Sequence, residues 1–552
     1  MKQNHQRWIF YAVWLILLIL QAAFTPLIDD EAYYWFYSTE LSIGYFDHPP
    51  MIALMIKLGY FLLKNELGVR LLSVLTSFIS ILIIEKILVV KDFKLYATLL
   101  STILIAQVGG ILAVPDSPYL FFIVLFLFCF KRYLYHDKWI NAVFLGLCAA
   151  AVLYSKYHGS MLFFFLGIFS LRLFKRKTFY LAIVTAVLCY FPHILWLVEN
   201  NFPSFQYHFG DRNVSGFVWE SIPLYLIGQL VLYGPLTSFI IFYALWKYKT
   251  IDEFEKIIRN GAIGVLIFLF LFCFKGSIEA NWSMAVFPVF LIITHQYLAM
   301  NVRLRKAFYI TAPVSIVLIL IARLFLVYDF TYGKLVLNDD LHHKKEWVKK
   351  INELSQGDPV IFLNSYQQAS VYKFYSGSEA ISLNNVKSRM NQFSISKIED
   401  ELQGKKVMVV SNWPNERFTG TEFNGQKILY TRIERFTSYS KIYFTADSYS
   451  VHAHPGDSIK LNVHAGTRYT AKISFIENPS YKSYITYQFF KKREMVFERY
   501  TNIEVKSGIM NSDLSLTLAI PSEKGVYDMR ISVSTGWLPP TISSKRWKVI
   551  VD

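Results

Sequence analysis

The sequence predicts a polytopic all-α membrane bundle of about eleven transmembrane helices, followed by an extracytoplasmic appendage with a small α/β part and a β-sandwich part. Three observations carry this prediction. Of 552 residues, 54% are hydrophobic and only 17% charged, below the charged fraction of about 25% found in soluble domains. Apolar stretches of spanning length recur as far as residue 328 and then stop. Beyond that point the pattern changes to short alternating runs punctuated by turn residues. The 17% aromatic share fits rings packed between helices and at bilayer interfaces. A net charge of +16 in a soluble chain would suggest a nucleic-acid ligand; in a membrane chain it is first explained by Lys and Arg retained on the cytoplasmic side. Cys129, Cys148, Cys189 and Cys273 lie inside apolar runs with no CxxC spacing, which argues against a disulfide framework or a zinc site.

Taken in order, the spans are expected near 8–27, 69–90, 95–113, 118–134, 139–154, 160–174, 178–198, 221–246, 260–274, 282–300 and 307–328. The shorter stretches borrow flanking aromatic residues to cross a core about 30 Å thick. Cations then set the orientation. Lys91 and Lys94, then Lys131, Arg132 and Lys138, Arg172 to Lys177, Lys247 to Arg259, and Arg303 to Lys306 fall in every second loop. Those loops and the N-terminal tail hold about 18 Lys and Arg, against about five in the opposite loops, a bias that places the N-terminus inside. The first span follows Lys2 and Arg7 and precedes Gln21-Ala22-Ala23, as in a signal peptide, but its apolar run is longer than a signal core and it is read as retained.

An odd number of spans puts everything after residue 330 outside. Residues 331–440 contain two short apolar runs, Pro359 to Leu363 and Lys405 to Val410, with helical segments around them, and are expected to form a small α/β region. In residues 441–552, alternating stretches such as Ser458 to Val463 and Tyr527 to Val533 are separated by Gly, Pro and Asn turns, which predicts a β-sandwich.

The outer loops hold acidic, aromatic, His and Pro residues that a linker does not need. The first, about 28–68, begins Asp29-Asp30-Glu31-Ala32-Tyr33-Tyr34-Trp35. A bland explanation exists, with Asp29 capping a short interfacial helix and Asp30 and Glu31 in its first turn. Further on, Gly44-Tyr45-Phe46-Asp47-His48-Pro49-Pro50 has paired prolines that enforce an extended segment and fix Asp47 and His48; a turn with a solvated Asp explains it equally well. Asp116, in Val114-Pro115-Asp116-Ser117-Pro118, must stay near the membrane surface, and helix capping is its alternative role. Lys156, Tyr157 and His158 follow the fifth span, Glu199 to Arg212 form another loop, and Lys275, Glu279, Asn281 and Trp282 lie in the last. A lone Lys at a helix end is more often a snorkelling anchor than a ligand. Together these groups describe a cavity at one membrane face, with carboxylates for proton work, cations for an anion and aromatic rings for a sugar or lipid.

The segments Asp29 to Tyr34, Tyr45 to Pro50, Pro115 to Pro118, Ser155-Lys156-Tyr157 and Glu279 to Trp282 together resemble bacterial glycosyltransferases of the protein O-mannosyltransferase type (family 39). The same superfamily contains the aminoarabinose transferase that modifies lipid A. The match covers residues 1–330, with the motifs in the expected order. The resemblance implies a GT-C fold, a sugar donor linked to polyprenyl phosphate, an active site facing the periplasm and hence a bacterial inner-membrane location. It leaves the acceptor, whether lipid, glycan or protein, and the C-terminal part unassigned. Carried over, the family's Asp-Glu pair falls on Asp30 and Glu31 and its second-loop acid on Asp116. Its aromatic-acid-Pro element falls on Tyr45 to Pro50, and Tyr33 of the first motif is a candidate substrate-binding residue. Lipid A transferases have a Lys after that acid, where this chain has His48, and Lys156, Arg212 and Lys275 are the candidates to replace it at the donor phosphate.

The expected reaction is attack of an acceptor hydroxyl on the anomeric carbon as polyprenyl phosphate leaves. One base suffices, because the leaving group is already a stabilised anion; ordinary glycosidases need a general acid as well. Asp30 is the expected base, Glu31 and Asp116 shape the site, and Asp47 and His48 stand at its rim with the substrate-binding Tyr45, Tyr157, Glu279, Asn281 and Trp282. No cofactor is required, and a divalent cation is compatible with the acids without being specified by them. Two rival readings belong to other classes. A flippase for lipid-linked sugar should show midplane charge and two related halves, and a membrane-anchored binding scaffold would not need so many spans.

Overall fold

The computed structural model describes residues 2–205, 219–276, 278–330, 341–469, 482–492, 494–505, 509 and 511–552. The chain separates into two compact units, Met1–His342 and His343–Asp552.

The first unit is helical: α1 (Lys2–Phe24), α2 (Asp29–Thr39), α3 (Met51–Leu62), α4 (Glu66–Ile87), α5 (Phe93–Ser101), α6 (Asp116–Tyr135), α7 (Trp139–Ser155), α8 (Gly159–Ile168), α9 (Lys177–Glu199), the single turn α10 (Pro203–Phe205), α11 (Ser221–Leu232), α12 (Ser238–Lys247), α13 (Glu253–Phe272), α14 (Phe287–Met300) and α15 (Val302–Val327). Among the described residues, six helical stretches are long and apolar enough to cross a membrane, Asn4–Phe24, Glu66–Ile87, Asp116–Tyr135, Lys177–Glu199, Ala280–Met300 and Val302–Val327, and α3, α7, α8, α11 and α12 are shorter apolar helices. The protein is therefore a multi-pass membrane protein. Polar caps start the helices that leave the cation-rich loops: Asp92, Asp252 and Asn301 each accept a backbone N–H three residues on, at α5, α13 and α15.

Among the departures from the expected spans, the following bear on the site. The stretch read as one span over 95–113 is helical only to Ser101 and continues as a π turn, Ile105–Gly109. The stretch 221–246 breaks into α11 and α12 at Gly234, whose φ of +120° suits glycine and where a Cβ would lie 2.5 Å from the Thr102 carbonyl oxygen. The first outer loop contains two helices, α2 and α3. Cys189 is exposed on α9, while Cys129 and Cys148 approach to 3.7 Å between sulfurs without a disulfide.

The second unit begins with α16 (Lys344–Ser355), β1 (Val360–Leu363), α17 (Tyr366–Ser376), β2 (Ala380–Leu383), the short α18 (Gln392–Ile395) and α19 (Ile398–Leu402), β3 (Val407–Ser411), β4 (Thr419–Phe423) and β5 (Gln426–Ile433). They form one sheet of order β2-β1-β3-β5-β4, parallel between β2, β1 and β3 and antiparallel at β5 and β4. Two further sheets follow, built from β6 (Ile442–Thr445), β7 (Ser450–Ala453), β8 (Ser458–Thr467), β9 (Ser483–Lys491), β10 (Glu494–Glu504), β11 (Ser512–Ala519), β12 (Gly525–Thr535) and β13 (Trp547–Val551). Their orders are β10-β9-β12-β13-β7 and β11-β8-β6. Val463, Leu516, Phe489, Ile531 and Trp547 belong to one buried cluster, as a sandwich requires. The expected alternation holds in β11 but not along β12, where Met529 to Thr535 are all buried. Ser532 there is satisfied internally: its Oγ donates to Gln488 Oε1 on β9 at 2.8 Å, and Gln488 Nε2 donates to Thr486 Oγ1 at 2.9 Å.

Candidate active site

The acids at the start of α2 divide by one residue's rotation. Ile28 precedes the helix in extended conformation, so Asp29, Asp30 and Glu31 all fall in the first turn, where the helix dipole favours negative charge. The helix begins at Asp29 itself, and the cap comes from Glu31, which accepts the Ile28 N–H at 3.1 Å. Asp30 points outward and is exposed, whereas Glu31 is fully buried. Its carboxylate receives Arg70 Nε and the Ala113 N–H on Oε1, at 2.7 and 2.8 Å, and Arg70 Nη2 on Oε2 at 2.5 Å. Arg70 donates further to the carbonyls of Ala22, Thr25 and Pro26. With four hydrogen bonds Glu31 has no acceptor site left; it ties α1, α2 and α4 to the segment that leads into Asp116.

Asp116 opens α6, three residues after the Ala113 amide that Glu31 holds. It does not cap its helix. Its Oδ1 accepts Lys156 Nζ at 2.6 Å, and its Oδ2 accepts Asn281 Nδ2 at 3.2 Å. Lys156 is the residue at which α7 ends, so the cluster joins two helix ends to the turn Ala280–Val286. Both charged side chains are almost entirely buried, at 5% and 7% exposure. Among the described residues, Asp116 is the one partner of the Lys156 ammonium, which has three hydrogens to donate. The turn carrying Asn281 is itself pinned: Gln229 Nε2 donates to the Ala280 carbonyl, Ser283 Oγ to Gln229 Oε1 and Tyr233 OH to the Ser283 carbonyl. Beside it, the rings of His158 and Trp282 meet edge to face at 4.6 Å.

A second polar cluster is built on Asp47, whose Oδ2 accepts Tyr33 OH at 2.7 Å and Tyr37 OH at 3.1 Å. Tyr37 stacks on Tyr45 at 4.3 Å, and Tyr34 meets His48 edge on. Burial, and secondarily the Asp47 charge, holds the Tyr37 phenol well above its ordinary pKa, and burial pushes Tyr45 up to about 12. These phenols therefore remain donors throughout the physiological range. Helix α9 fixes the loop from behind: the His193 Nδ1 lies 2.7 Å from the Ile43 carbonyl, and at Gly44 a Cβ would stand 2.3 Å from the Trp196 ring, so only glycine fits. Tyr157 OH lies 3.1 Å from His193 Nε2 and 3.3 Å from Ser204 Oγ, which donates to the Phe46 carbonyl. Burial pushes Tyr157, too, up to about 12.

The structure thus joins Asp116, Lys156 and Asn281 directly, and Tyr33 with Asp47. Lys275 and Glu279 are exposed in the segment before Asn281. Arg212 lies outside the described residues. Sequence reasoning missed Arg70, His193, Ser204, Gln229 and Ser283. Only Arg70 carried a signal: an arginine just inside an apolar span is costly without a carboxylate partner.

A sequence description of the dolichyl-phosphate-mannose-protein mannosyltransferase family matches residues 47–196, which include Asp47, His48, Asp116, Lys156 and Tyr157. The lipid A galacturonosyltransferase RgtD of Rhizobium johnstonii is 22% identical over 303 residues, covering 50% of this chain and 61% of that protein. The chain therefore spans about three fifths of the length of this curated relative. The crystal structure of apo ArnT from Cupriavidus metallidurans superposes with a TM-score of 0.58 at 13% identity, covering 78% of this chain and 98% of that one. The same protein bound to undecaprenyl phosphate gives 0.53 at 15% identity, with 76% and 97% covered. The helical unit has the GT-C fold, and the resemblance seen in the sequence is borne out by the family match and by the fold.

Proposed function

We propose that the protein is an integral-membrane glycosyltransferase that moves a sugar from a polyprenyl-phosphate donor to an extracytoplasmic acceptor, with Asp30 as general base and Lys156 at the donor phosphate. The observation that carries this is the buried Lys156 ammonium, oriented by Asp116 and keeping donor capacity at one end of the bundle. In a low-dielectric site such a cation stabilises the departing phosphate far more than it would in water. The family match and the ArnT complex with undecaprenyl phosphate support the donor class. The acceptor is a lipid, glycan or protein, and the cation bias of the loops supports an N-terminus on the cytoplasmic side of an inner membrane.

In the proposed reaction the acceptor oxygen bonds to the anomeric carbon, the bond from that carbon to the phosphate oxygen breaks, and polyprenyl phosphate leaves as the anion. The hydroxyl proton passes to Asp30, an accessible carboxylate, whereas Glu31 has its acceptor sites filled. Asp116, itself held by Asn281, keeps Lys156 in place, and Tyr157, His158 and Trp282 supply ring surface. No cofactor enters the scheme.

The test is release of polyprenyl phosphate from a defined polyprenyl-phosphate sugar by wild-type protein and by Asp30→Asn. The expected loss is on the order of 10² to 10⁴ in rate. Full activity in the variant removes Asp30 as base, and no release by the wild-type protein overturns the transferase reading.

A further inference from the structure

The second unit carries a cleft of about 890 Å³ whose lining includes Arg417, Lys482, Tyr484, Tyr500, Asn502 and Trp537. Its floor is the end of three neighbouring strands in the order β10-β9-β12. Ser534 and Tyr484 are paired across the ladder and so share a face. Tyr484 meets Tyr500 edge to face at 6.3 Å. Beyond β12, Gly536 turns with φ +56° and presents Trp537, whose ring is steadied by Phe418 at 5.8 Å. Arg417 enters from the segment that precedes β4.

We infer that this cleft is a binding site for an acidic oligosaccharide. Its size is that of a ligand of several rings. Three aromatic side chains line it, Tyr500 60% exposed and Tyr484 and Trp537 half-buried, the kind of patch that marks recognition. Aromatic faces pack against the C–H faces of pyranose rings, while the exposed Asn502 offers amide partners to sugar hydroxyls. The charge selects the class. Among the described residues, Arg417 and Lys482 are the charged lining residues and no carboxylate lines the cleft. Glu504 lies 4.0 Å from Lys482 Nζ and screens it in part, whereas among the described residues the Arg417 guanidinium has no acidic partner. Guanidinium binds carboxylate or phosphate groups in bidentate fashion, so the anionic groups of the ligand are assigned to Arg417. This site is separate from the proposed catalytic one and does not depend on transfer.

The test uses the full-length protein in lipid nanodiscs and measures calorimetric binding of hexagalacturonate, with maltohexaose as the neutral sugar and hexaglutamate as the acidic peptide. Hexagalacturonate is expected to bind at least about tenfold more tightly than either control. Trp537→Ala and Arg417→Gln are each expected to weaken it about tenfold, the change at the exposed Arg417 with unchanged thermal stability. Asp30→Asn is expected to bind as wild type does, which separates this site from the catalytic reading. Failure of hexagalacturonate to bind, or equal binding by Trp537→Ala, overturns the inference. Equal affinity for hexaglutamate also overturns it, since the cleft would then read charge alone.

Discussion

Two buried ion pairs lie a few residues apart along the same connected path, and they differ in what is left over. Around Glu31 and Arg70 nothing is: the carboxylate accepts four hydrogen bonds, and the guanidinium adds three carbonyls at the end of α1 and beyond it. Around Asp116 and Lys156 the carboxylate holds a lysine and an asparagine, and the ammonium keeps unused hydrogens among the described residues. Burying a charge is expensive in both places. The first pair converts that cost into a fixed junction between helices; the second retains a cation able to take a further anion. Burial and pairing alone do not distinguish a strut from a site, but residual hydrogen-bonding capacity does.

Neutralising both members of each pair tests this distinction. Glu31→Gln/Arg70→Met leaves the carbonyls of Ala22, Thr25 and Pro26 without their donor, and buried groups so deprived cost about 1–3 kcal/mol each. Thermal unfolding in detergent is expected to report a loss of about 3–5 kcal/mol. The double variant Asp116→Asn/Lys156→Gln orphans no set of carbonyls and is expected to stay folded, within about 1 kcal/mol of wild type. Its transfer rate should fall by a factor on the order of 10² to 10³, the usual loss when a charge-stabilising donor is removed. If the first variant is stable and the second unfolds, the roles are exchanged.

The same distinction explains what the sequence could reveal. Hydropathy located the helices because a span is a composition. It could not locate the break at Gly234 or the end of α5 at Ser101, because both depend on the close approach of Thr102 to Gly234, two segments far apart in the chain. Asp30, Glu31, Asp116, Lys156 and Asn281 were legible as charged or polar residues at the mouths of spans. Their division of labour was not, since Asp30 and Glu31 are adjacent and only the helical rotation between them sends one to solvent and the other to Arg70. His193, Gln229 and Ser283 were silent for the opposite reason: each is a single polar residue in or beside an apolar run, and its partner is known only once the fold is.

Glu399 in the second unit extends the comparison with the smallest expected effect. Like Glu31 it is buried, but it has no cation of its own. Ser440 Oγ donates to its Oε2 at 2.5 Å, its Oε1 has no partner among the described residues, and the nearby Lys441 ammonium is bonded to Asp400 instead. Desolvation therefore outweighs the hydrogen bond and the lysine charge, and the carboxyl is held above its ordinary value of 4.5. A raised carboxyl stays protonated in the folded state at pH values where the unfolded chain has already ionised, so its contribution is complete below about pH 4.5 and is lost as the pH rises through the folded value. Wild-type stability is expected to decline over that window relative to Glu399→Gln, with a slope of no more than about 1.4 kcal/mol per pH unit. Melting curves of the two full-length proteins from pH 4 upward measure it, and parallel curves would mean that Glu399 is as well compensated as Glu31.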